Sequence, residues 1–163
     1  MIEIKPIQAH QIHAAKRVMA EVCNEIWQFR PTVDELEATF DEIGEFVDLN
    51  NLQASYFDNN GTFMIIIDGA QVVGTGGIRR LEEEICELKK MWILKDYRAQ
   101  GWGVRIAREL FAFAKKAGYK KVRLELFDPP KQQRAKAFYQ ELGFYEIAPY
   151  RDSPAKLCME KLL

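Results

Sequence analysis

Residues 98–103 read Arg-Ala-Gln-Gly-Trp-Gly and stand between a strand-like run, residues 85–94, and a helical run that begins near Gly103. Two glycines let the main chain approach a bound group closely, and the first N–H groups of a helix are free to bind an anion. Strand, glycine-rich turn and helix in this order predict a phosphate-binding loop. The alternative is a tight strand-to-helix turn that binds nothing.

Two common phosphate-binding motifs fit this loop poorly. No Lys-Ser or Lys-Thr pair follows the glycines, as a Walker loop requires, and Ile106 stands where a dinucleotide fingerprint has its third glycine. The loop also follows a hairpin in mid-chain, whereas the dinucleotide fingerprint follows the first strand of a doubly wound sheet. The pattern therefore disfavours both a P-loop nucleotidase and a dinucleotide-binding domain.

The runs around the loop predict a mixed sheet with flanking helices. Strand-like runs at residues 62–67 and 71–78 are separated by Asp68-Gly69, a strong hairpin signal. The strand at 85–94, the helix from about Gly103 to Ala117 and a strand at 121–127 predict a parallel crossover. Further predicted elements are strands near residues 2–6, 144–147 and 157–160, and helices at 8–27, from about 32 or 34 onward, and 132–142. The second of these helices is expected to bury one apolar side, formed by Leu36, Phe40, Ile43 and Val47. We therefore expect an α+β fold whose mixed, mostly antiparallel central sheet contains one parallel βαβ crossover.

Length and composition predict one globular domain over residues 1–163. The chain is 48% hydrophobic and 29% charged, which is ordinary for a folded domain of this size. No run approaches the roughly 18 apolar residues of a membrane span, and the polar start is no signal peptide, so we expect a cytoplasmic protein with no membrane partner. Cys23, Cys86 and Cys158 lie far apart and fit neither a disulfide framework nor a zinc site. We expect reduced thiols, buried as small apolar side chains, and no metal.

Charge is distributed unevenly along the chain. The net charge of −1 argues against a dedicated nucleic-acid-binding protein. Between Pro31 and Ile78 the chain has nine Asp or Glu and no Lys or Arg. From Arg79 onward it has 19 Lys or Arg and 12 Asp or Glu. This asymmetry indicates either solvated helix faces or two ligands of opposite charge.

At residues 98–103 the sequence resembles the GNAT-type N-acetyltransferases, whose acetyl-CoA pyrophosphate loop reads Gln/Arg-x-x-Gly-x-Gly/Ala. The strand before the loop, residues 87–93, looks like the fourth strand of that family, and residues 135–144 look like its terminal helix. Residues 1–60 match only in general layout. The resemblance implies the acyl-CoA N-acyltransferase fold, acetyl-CoA as co-substrate, and acetyl transfer to an amine without a metal.

The resemblance also implies which residues hold the cofactor. Main-chain groups of Met91, Trp92 and Ile93 are expected to pair with the pantetheine arm as a strand would. Gln132 stands where the family often has an amide that contacts the cofactor. Trp102 departs from the small or aliphatic residue that is common between the glycines, and would cover the cofactor if it pointed outward. The diphosphate is expected on the loop and the start of the helix, at Arg98, Ala99, Gln100, Gly101, Trp102, Gly103 and Val104.

Acetyl transfer needs a neutral amine and a proton for the departing thiolate. Lysine amines have a pKa of about 10.4 and chain-terminal amines one of about 8, so a base is useful. By resemblance, Tyr139 is the expected general acid and Glu87 the expected general base, acting through water. The alternatives are that Tyr139 only packs in the core and that Glu87 only pairs with Arg123 or Lys89.

The charge asymmetry suggests an acceptor. The basic half suits coenzyme A, and the acidic segment from Asp34 to Asp48 would attract a cation, so we expect a small basic amine that attacks directly in a ternary complex. Two alternatives are a non-catalytic CoA-binding sensor and an acetyltransferase for protein N-termini or lysines. The acceptor's identity, the acyl chain length and the oligomeric state, a homodimer included, stay open.

Overall fold

The computed structural model describes residues 1–163 and contains one seven-stranded sheet. Its strands lie in the order β1-β2-β3-β4-β5-β7-β6, and every neighbouring pair is antiparallel except β4 and β5. The predicted mixed sheet with one parallel crossover is thus confirmed. The strands are β1 (Ile2–Pro6), β2 (Thr62–Asp68), β3 (Gln71–Arg80), β4 (Ile85–Ile93), β5 (Lys121–Leu126), β6 (Tyr145–Ile147) and β7 (Leu157–Leu162).

Five helices and three short turns flank this sheet. The helices are α1 (Ile12–Trp27), α2 (Val33–Ile43), α3 (Val47–Asn50), α4 (Trp102–Lys116) and α5 (Gln133–Glu141). A single π-helical turn spans Gln53–Phe57, and 3₁₀ turns span Ala9–Gln11 and Lys95–Tyr97. None of these helices combines the length and the apolar character that crossing a membrane requires.

Consecutive glycines of β3 show which elements cover each face of the sheet. A Cβ on Gly77 would meet the ring of Tyr56, whereas a Cβ on Gly76 would meet Leu110 of α4. Because neighbouring residues of a strand point to opposite faces, the π turn and α4 lie on opposite sides. We call the side of Tyr56 the first face, where α1 packs on β3 and β4 together with α2 and α3, and the side of α4 the second face.

The end of α2 corrects one expectation from the sequence. Thr32 caps the helix by accepting a hydrogen bond from the N–H of Glu35 at 3.2 Å, and Gly44, with φ of 86°, ends it in the left-handed conformation. Because Gly44 interrupts the helix, the residues after it do not continue the 3.6-residue periodicity of α2. Ile43 and Val47 are therefore exposed, by 63% and 58%, and the core positions pass to Phe46 and Leu49, which were not expected to hold them.

The core is one continuous apolar cluster that includes both faces of the sheet. The three cysteines are buried in it or at its margin, as the sequence predicted. Burial raises the pKa of the Cys23 and Cys86 thiols to about 12, so both stay protonated at neutral pH.

Truncating Leu110 tests how α4 is held on the sheet. This side chain is fully buried beside β3. Leu110→Ala should lower the free energy of unfolding by about 2–5 kcal/mol, because the cavity adds to the lost transfer energy. Leu162→Ala, at an exposed position, is the matched control. Equal urea midpoints for the two variants would contradict this assignment of the core.

Candidate active site

A cleft opens where β4 and β5 separate. The two strands pair only from Ile85 to Glu87, whose partners run from Lys121 to Arg123. Beyond that point β5 keeps its pairing with β7, while β4 pairs with β3 alone. From Leu88 onward, one edge of β4 thus has no neighbouring strand. Such an edge can accept an extended, amide-bearing ligand as an added strand.

A β-bulge re-aims β4 inside this cleft. Gly77 pairs with Lys89 and Thr75 pairs with Trp92, so two residues of β4 oppose one of β3. Lys90 takes the left-handed conformation, with φ of 55°, and its carbonyl accepts a hydrogen bond from the Thr75 hydroxyl at 2.6 Å. Non-glycine residues seldom adopt this conformation, and it often marks functional sites. The sequence carries no signal for it, because lysine has no preference for positive φ.

The glycine-rich loop ends the cleft with a row of free main-chain donors. None of the six N–H groups from Ala99 to Val104 donates to an acceptor within the protein. Ala99 and Gly101 are left-handed, with φ of 58° and 85°, so the loop curls into a concave nest at the start of α4. No acidic side chain occupies the first turn of this helix. Free donors and the positive end of the helix dipole together suit a diphosphate.

Gly101 and Gly103 are glycines for different reasons. Space around Gly101 is open, and its positive φ is what disfavours a side chain there. A Cβ on Gly103 would lie 3.3 Å from the ring of Phe138 and 3.4 Å from the Ile93 side chain. Gly103 therefore lets α4 approach both α5 and β4 closely.

The side chains of Arg98 and Gln100 stabilise the loop itself. The Arg98 guanidinium donates to the Ile93 carbonyl at 2.8 Å and binds both carboxylate oxygens of Glu25 at 2.8 and 2.9 Å. These hydrogen bonds hold the pKa of Glu25 below its usual range. Gln100 donates to the carbonyl of Asp96 at 2.7 Å. Of the residues predicted for the diphosphate, these two thus direct their side chains to protein partners.

Three further predicted cofactor residues line or adjoin the cleft. Trp102 is half-buried, and the guanidinium of Arg105 lies 4.6 Å from its ring. Gln132 is buried at the start of α5, where its side-chain oxygen accepts from the N–H of Asp128 at 2.8 Å and its amide N–H groups find no protein acceptor. The indole Nε1 of Trp92 is buried without a partner, the one such side-chain atom in the protein.

Tyr139 packs against α4 on the second face. It is 7% exposed, and its ring contacts those of Phe138 and Phe144 at centroid distances of 5.4 and 5.5 Å. The hydroxyl has no hydrogen-bond partner in the protein, yet it is not sealed from solvent. Burial raises the pKa of this phenol, which therefore holds its proton at neutral pH. Tyr139 belongs to the core through its ring and has a free hydroxyl to donate.

Glu87 lies on the first face, fully buried at 1% exposure, and both oxygens of its carboxylate are engaged. One oxygen faces the Arg79 guanidinium at 3.3 Å. The other accepts from the Tyr150 hydroxyl at 2.7 Å and from Arg151. Arg151 also reaches Glu125, at 3.1 Å. Glu87 thus anchors the segment between β6 and β7, residues 148–156, over the sheet.

Of the two partners that the sequence suggested, Lys89 forms an ion pair with Glu87 and Arg123 does not. Arg123 is paired instead with Glu160, at 2.8 Å, and the ammonium of Lys89 is 4.0 Å from Glu87. Arg79 is the cross-strand neighbour of Glu87, which strand pairing could have revealed. Arg151 is distant in sequence, and nothing local indicates its contact.

Four of the seven acids between Asp34 and Asp48 pair with cations of the protein, which leaves less free negative charge to attract a basic acceptor. The cations belong to α1 and the bulge: Asp34 and Glu37 pair with Arg17, Asp41 with Lys16, and Asp48 with Lys90. Charge that is satisfied by fixed partners attracts a ligand far less.

The last turns of α1 connect the two sides of the cleft. Glu25 holds Arg98, which follows β4, and the Trp27 indole donates to Asp128, which follows β5, at 2.9 Å. This arrangement was not predicted, because residues 1–60 carry no recognisable motif.

Comparison with known proteins agrees with this geometry. The sequence profile "Acetyltransferase (GNAT) family" matches residues 19–144. An uncharacterized N-acetyltransferase of Escherichia coli K12, YjgM, is 33% identical over 102 residues, which cover 61% of this chain and 60% of that protein. The chain thus matches under two thirds of this curated relative's length.

Two solved structures share the fold. A GNAT-family acetyltransferase of Staphylococcus aureus Mu50 superposes with a TM-score of 0.83 at 21% identity, covering 99% of each chain. The PaiA N-acetyltransferase of Thermoplasma acidophilum, solved in complex with coenzyme A, has a TM-score of 0.77 at 17% identity and covers 100% of this chain and 99% of its own. With the open edge of β4, the nest at α4 and a family profile over most of its length, the chain belongs to the GNAT family of acetyltransferases.

Proposed function

We propose that this protein transfers the acetyl group of acetyl-CoA to the primary amine of a small molecule, by direct attack in a ternary complex. The observation that carries this proposal is the row of six unpartnered N–H groups, Ala99 to Val104, beside the open edge of β4. Coenzyme A combines a diphosphate with an amide-bearing arm, which suits these two features. The coenzyme A complex of the Thermoplasma protein of the same fold supports the same ligand.

The cleft offers a partner for each part of the cofactor. The nest of Ala99 to Val104 would hold the diphosphate, and the free edge of β4 at Met91 to Ile93 would pair with the pantetheine amides. The unpartnered amide N–H groups of Gln132 would serve as further donors. Arg98 would act indirectly, by fixing the loop to Glu25 and Ile93. Acetyl-CoA supplies an activated thioester; the protein supplies binding, orientation and protons.

Tyr139 is the proposed general acid. Its raised pKa keeps the phenol protonated, and its hydroxyl has no protein acceptor that would compete for the proton. A phenol so placed can donate to a departing thiolate.

Glu87 is better placed to position other residues than to take a proton. Arg79, Tyr150 and Arg151 already engage both oxygens of its carboxylate, and water-mediated proton transfer would first require these contacts to open. We therefore propose that Glu87 holds residues 148–156 over the acceptor side of the cleft. An acceptor whose amine has a pKa of about 8 has a substantial neutral fraction without a dedicated base.

Binding and turnover together test the proposed function. Calorimetry should register acetyl-CoA binding, and thiol release should rise when a panel of primary amines is added. Binding without amine-dependent thiol release would favour the CoA-binding sensor, and absence of binding would contradict the proposal altogether.

A carboxylate at the start of α4 should separate helix stability from cofactor binding. Val104→Asp adds an acid in the first helical turn, which stabilises a helix through its dipole. The same charge should repel the diphosphate and raise the dissociation constant of acetyl-CoA by about tenfold. Val104→Asn, of the same shape and neutral, is the control. Calorimetry at low and high salt checks this, because salt screening should reduce the difference between the acetyl-CoA dissociation constants of the two variants.

If Val104→Asp and Val104→Asn bind acetyl-CoA equally at low salt, the diphosphate does not lie at this helix. Melting temperatures of both variants show whether each remains folded.

Removing one hydroxyl tests the proposed acid. Tyr139→Phe keeps the ring packing and should lower kcat by about tenfold or more, with KM for acetyl-CoA nearly unchanged. Tyr119→Phe is the matched control, because this buried tyrosine donates to the Asn60 carbonyl. Equal kcat for the two variants would leave Tyr139 as a packing residue only.

A further inference from the structure

The first-face side of the cleft carries more cations than anions. Arg79, Lys89 and Arg151 surround Glu87, and Glu125 is the second carboxylate within this group. We call these five residues the Glu87 cluster. The side chains of the three cations are 26%, 28% and 31% exposed, whereas that of Glu87 is 2% exposed. The carboxylate of Glu87 is therefore buried beneath the cluster, and the three cationic side chains are partly exposed to solvent.

Lys89 is the least satisfied member of this cluster. Its ammonium donates no hydrogen bond within the protein, and the nearest carboxylate oxygen, on Glu87, is 4.0 Å away. Burial lowers the pKa of Lys89, as do the nearby charges of Lys90 and Arg79, while Glu87 and Asp48 act in the opposite direction. The ammonium is reachable from solvent, and no protein hydrogen bond competes with a ligand anion for it.

The position of Lys89 relates this cluster to the reaction. Lys89 comes directly before the bulge at Lys90 and two residues before Met91, where the proposed pantetheine path begins. Adjacent Cα atoms are about 3.8 Å apart, so the Cα atoms of Lys89 and Met91 are at most about 7.6 Å apart, and one small molecule can contact both residues. An acceptor that reaches both must therefore hold its amine and its negative group close together.

We infer that the acceptor is a small amino acid, whose carboxylate is bound by Lys89, the one cation of the Glu87 cluster that donates no hydrogen bond within the protein, while its amine attacks the thioester. This inference rests on the proposed acetyltransferase function. A lysine ammonium is a compact charge with three N–H donors, and it forms charge-assisted hydrogen bonds with a carboxylate. The neutral amine forms the amide bond as the carbon–sulfur bond breaks. The thiolate receives a proton from Tyr139, the amine nitrogen loses one proton to water, and Tyr139 regains a proton from water.

Paired acceptors that differ only in charge test this inference. Each amino acid is compared with its own amide, which is nearly isosteric and neutral at the former carboxylate. kcat/KM should favour the acid by about tenfold or more, the worth of a charge-assisted hydrogen bond. The comparison is stringent, because a larger fraction of the amino acid amide has its amine in the neutral, reactive form, which by itself favours acetylation of the amide.

Substitutions of Lys89 test whether this side chain causes the preference for the acid. Lys89→Met should abolish most of the preference for the acid by raising KM for amino acids, while leaving kcat/KM for the amides nearly unchanged. Lys89→Arg should restore part of the preference. Arg80→Gln is the control, since Arg80 is exposed on β3 beside Arg79 and makes no side-chain contact with the Glu87 cluster.

The outcomes separate the two proposals. Equal kcat/KM for acids and amides overturns the amino acid inference and leaves the acetyltransferase function intact. A Lys89→Met variant that loses activity on acids and amides alike also overturns it, because Lys89 would then act as a base. No acetyl-CoA binding by the unaltered protein removes the proposed function itself.

Discussion

The separation of β4 from β5 after Glu87 is the constraint on which the rest of the site depends. Main-chain N–H and C=O groups at a strand edge must find partners, and inside a sheet they normally find them in the next strand. Here β5 stays with β7, and β4 continues beside β3 alone, through the bulge at Lys90. The open edge is therefore built into the pairing pattern, and a ligand with amide groups can complete it.

The N-terminal part of the chain supports this opening. Through Glu25 and Trp27, the end of α1 holds the segments that follow β4 and β5. The ion pair with Arg98 is partly exposed, and pairs of this kind contribute about 1 kcal/mol or less to stability. Its larger effect is geometric, because a bidentate contact fixes the orientation of the loop that precedes α4.

What the sequence could predict follows from the range of the interactions involved. The hairpin at Asp68-Gly69 and the loop at 98–103 are encoded in neighbouring residues, and both were recognised. Gly44 was a local signal that was overlooked, and with it the exposure of Ile43 and Val47. The bulge at Lys90 depends on pairing with β3, and the conformational preferences of the residues around it do not predict it.

The charges illustrate the same limit. Nine acids without a neighbouring cation suggested an attractive surface, but Lys16 and Arg17 of α1 approach them only after α1 and α2 pack together. The contact of Arg151 with Glu87 likewise joins residues 64 positions apart. The motif led to the glycine-rich loop at 98–103, yet sequence reasoning could not decide which charges would remain free for a ligand.

The two faces of the sheet differ in chemistry at the cleft between β4 and β5. On the second face, the rings of Phe138 and Phe144 pack against that of Tyr139, and burial raises the pKa of the phenol, which keeps its proton in place. On the first face, partly exposed cations surround the buried carboxylate of Glu87, and removing one of them would leave that carboxylate less compensated. A thioester lying between the strands would meet a neutral proton donor on one side and fixed charge on the other. Such a division would allow the leaving group to be protonated without disturbing the charges that we propose to bind the acceptor.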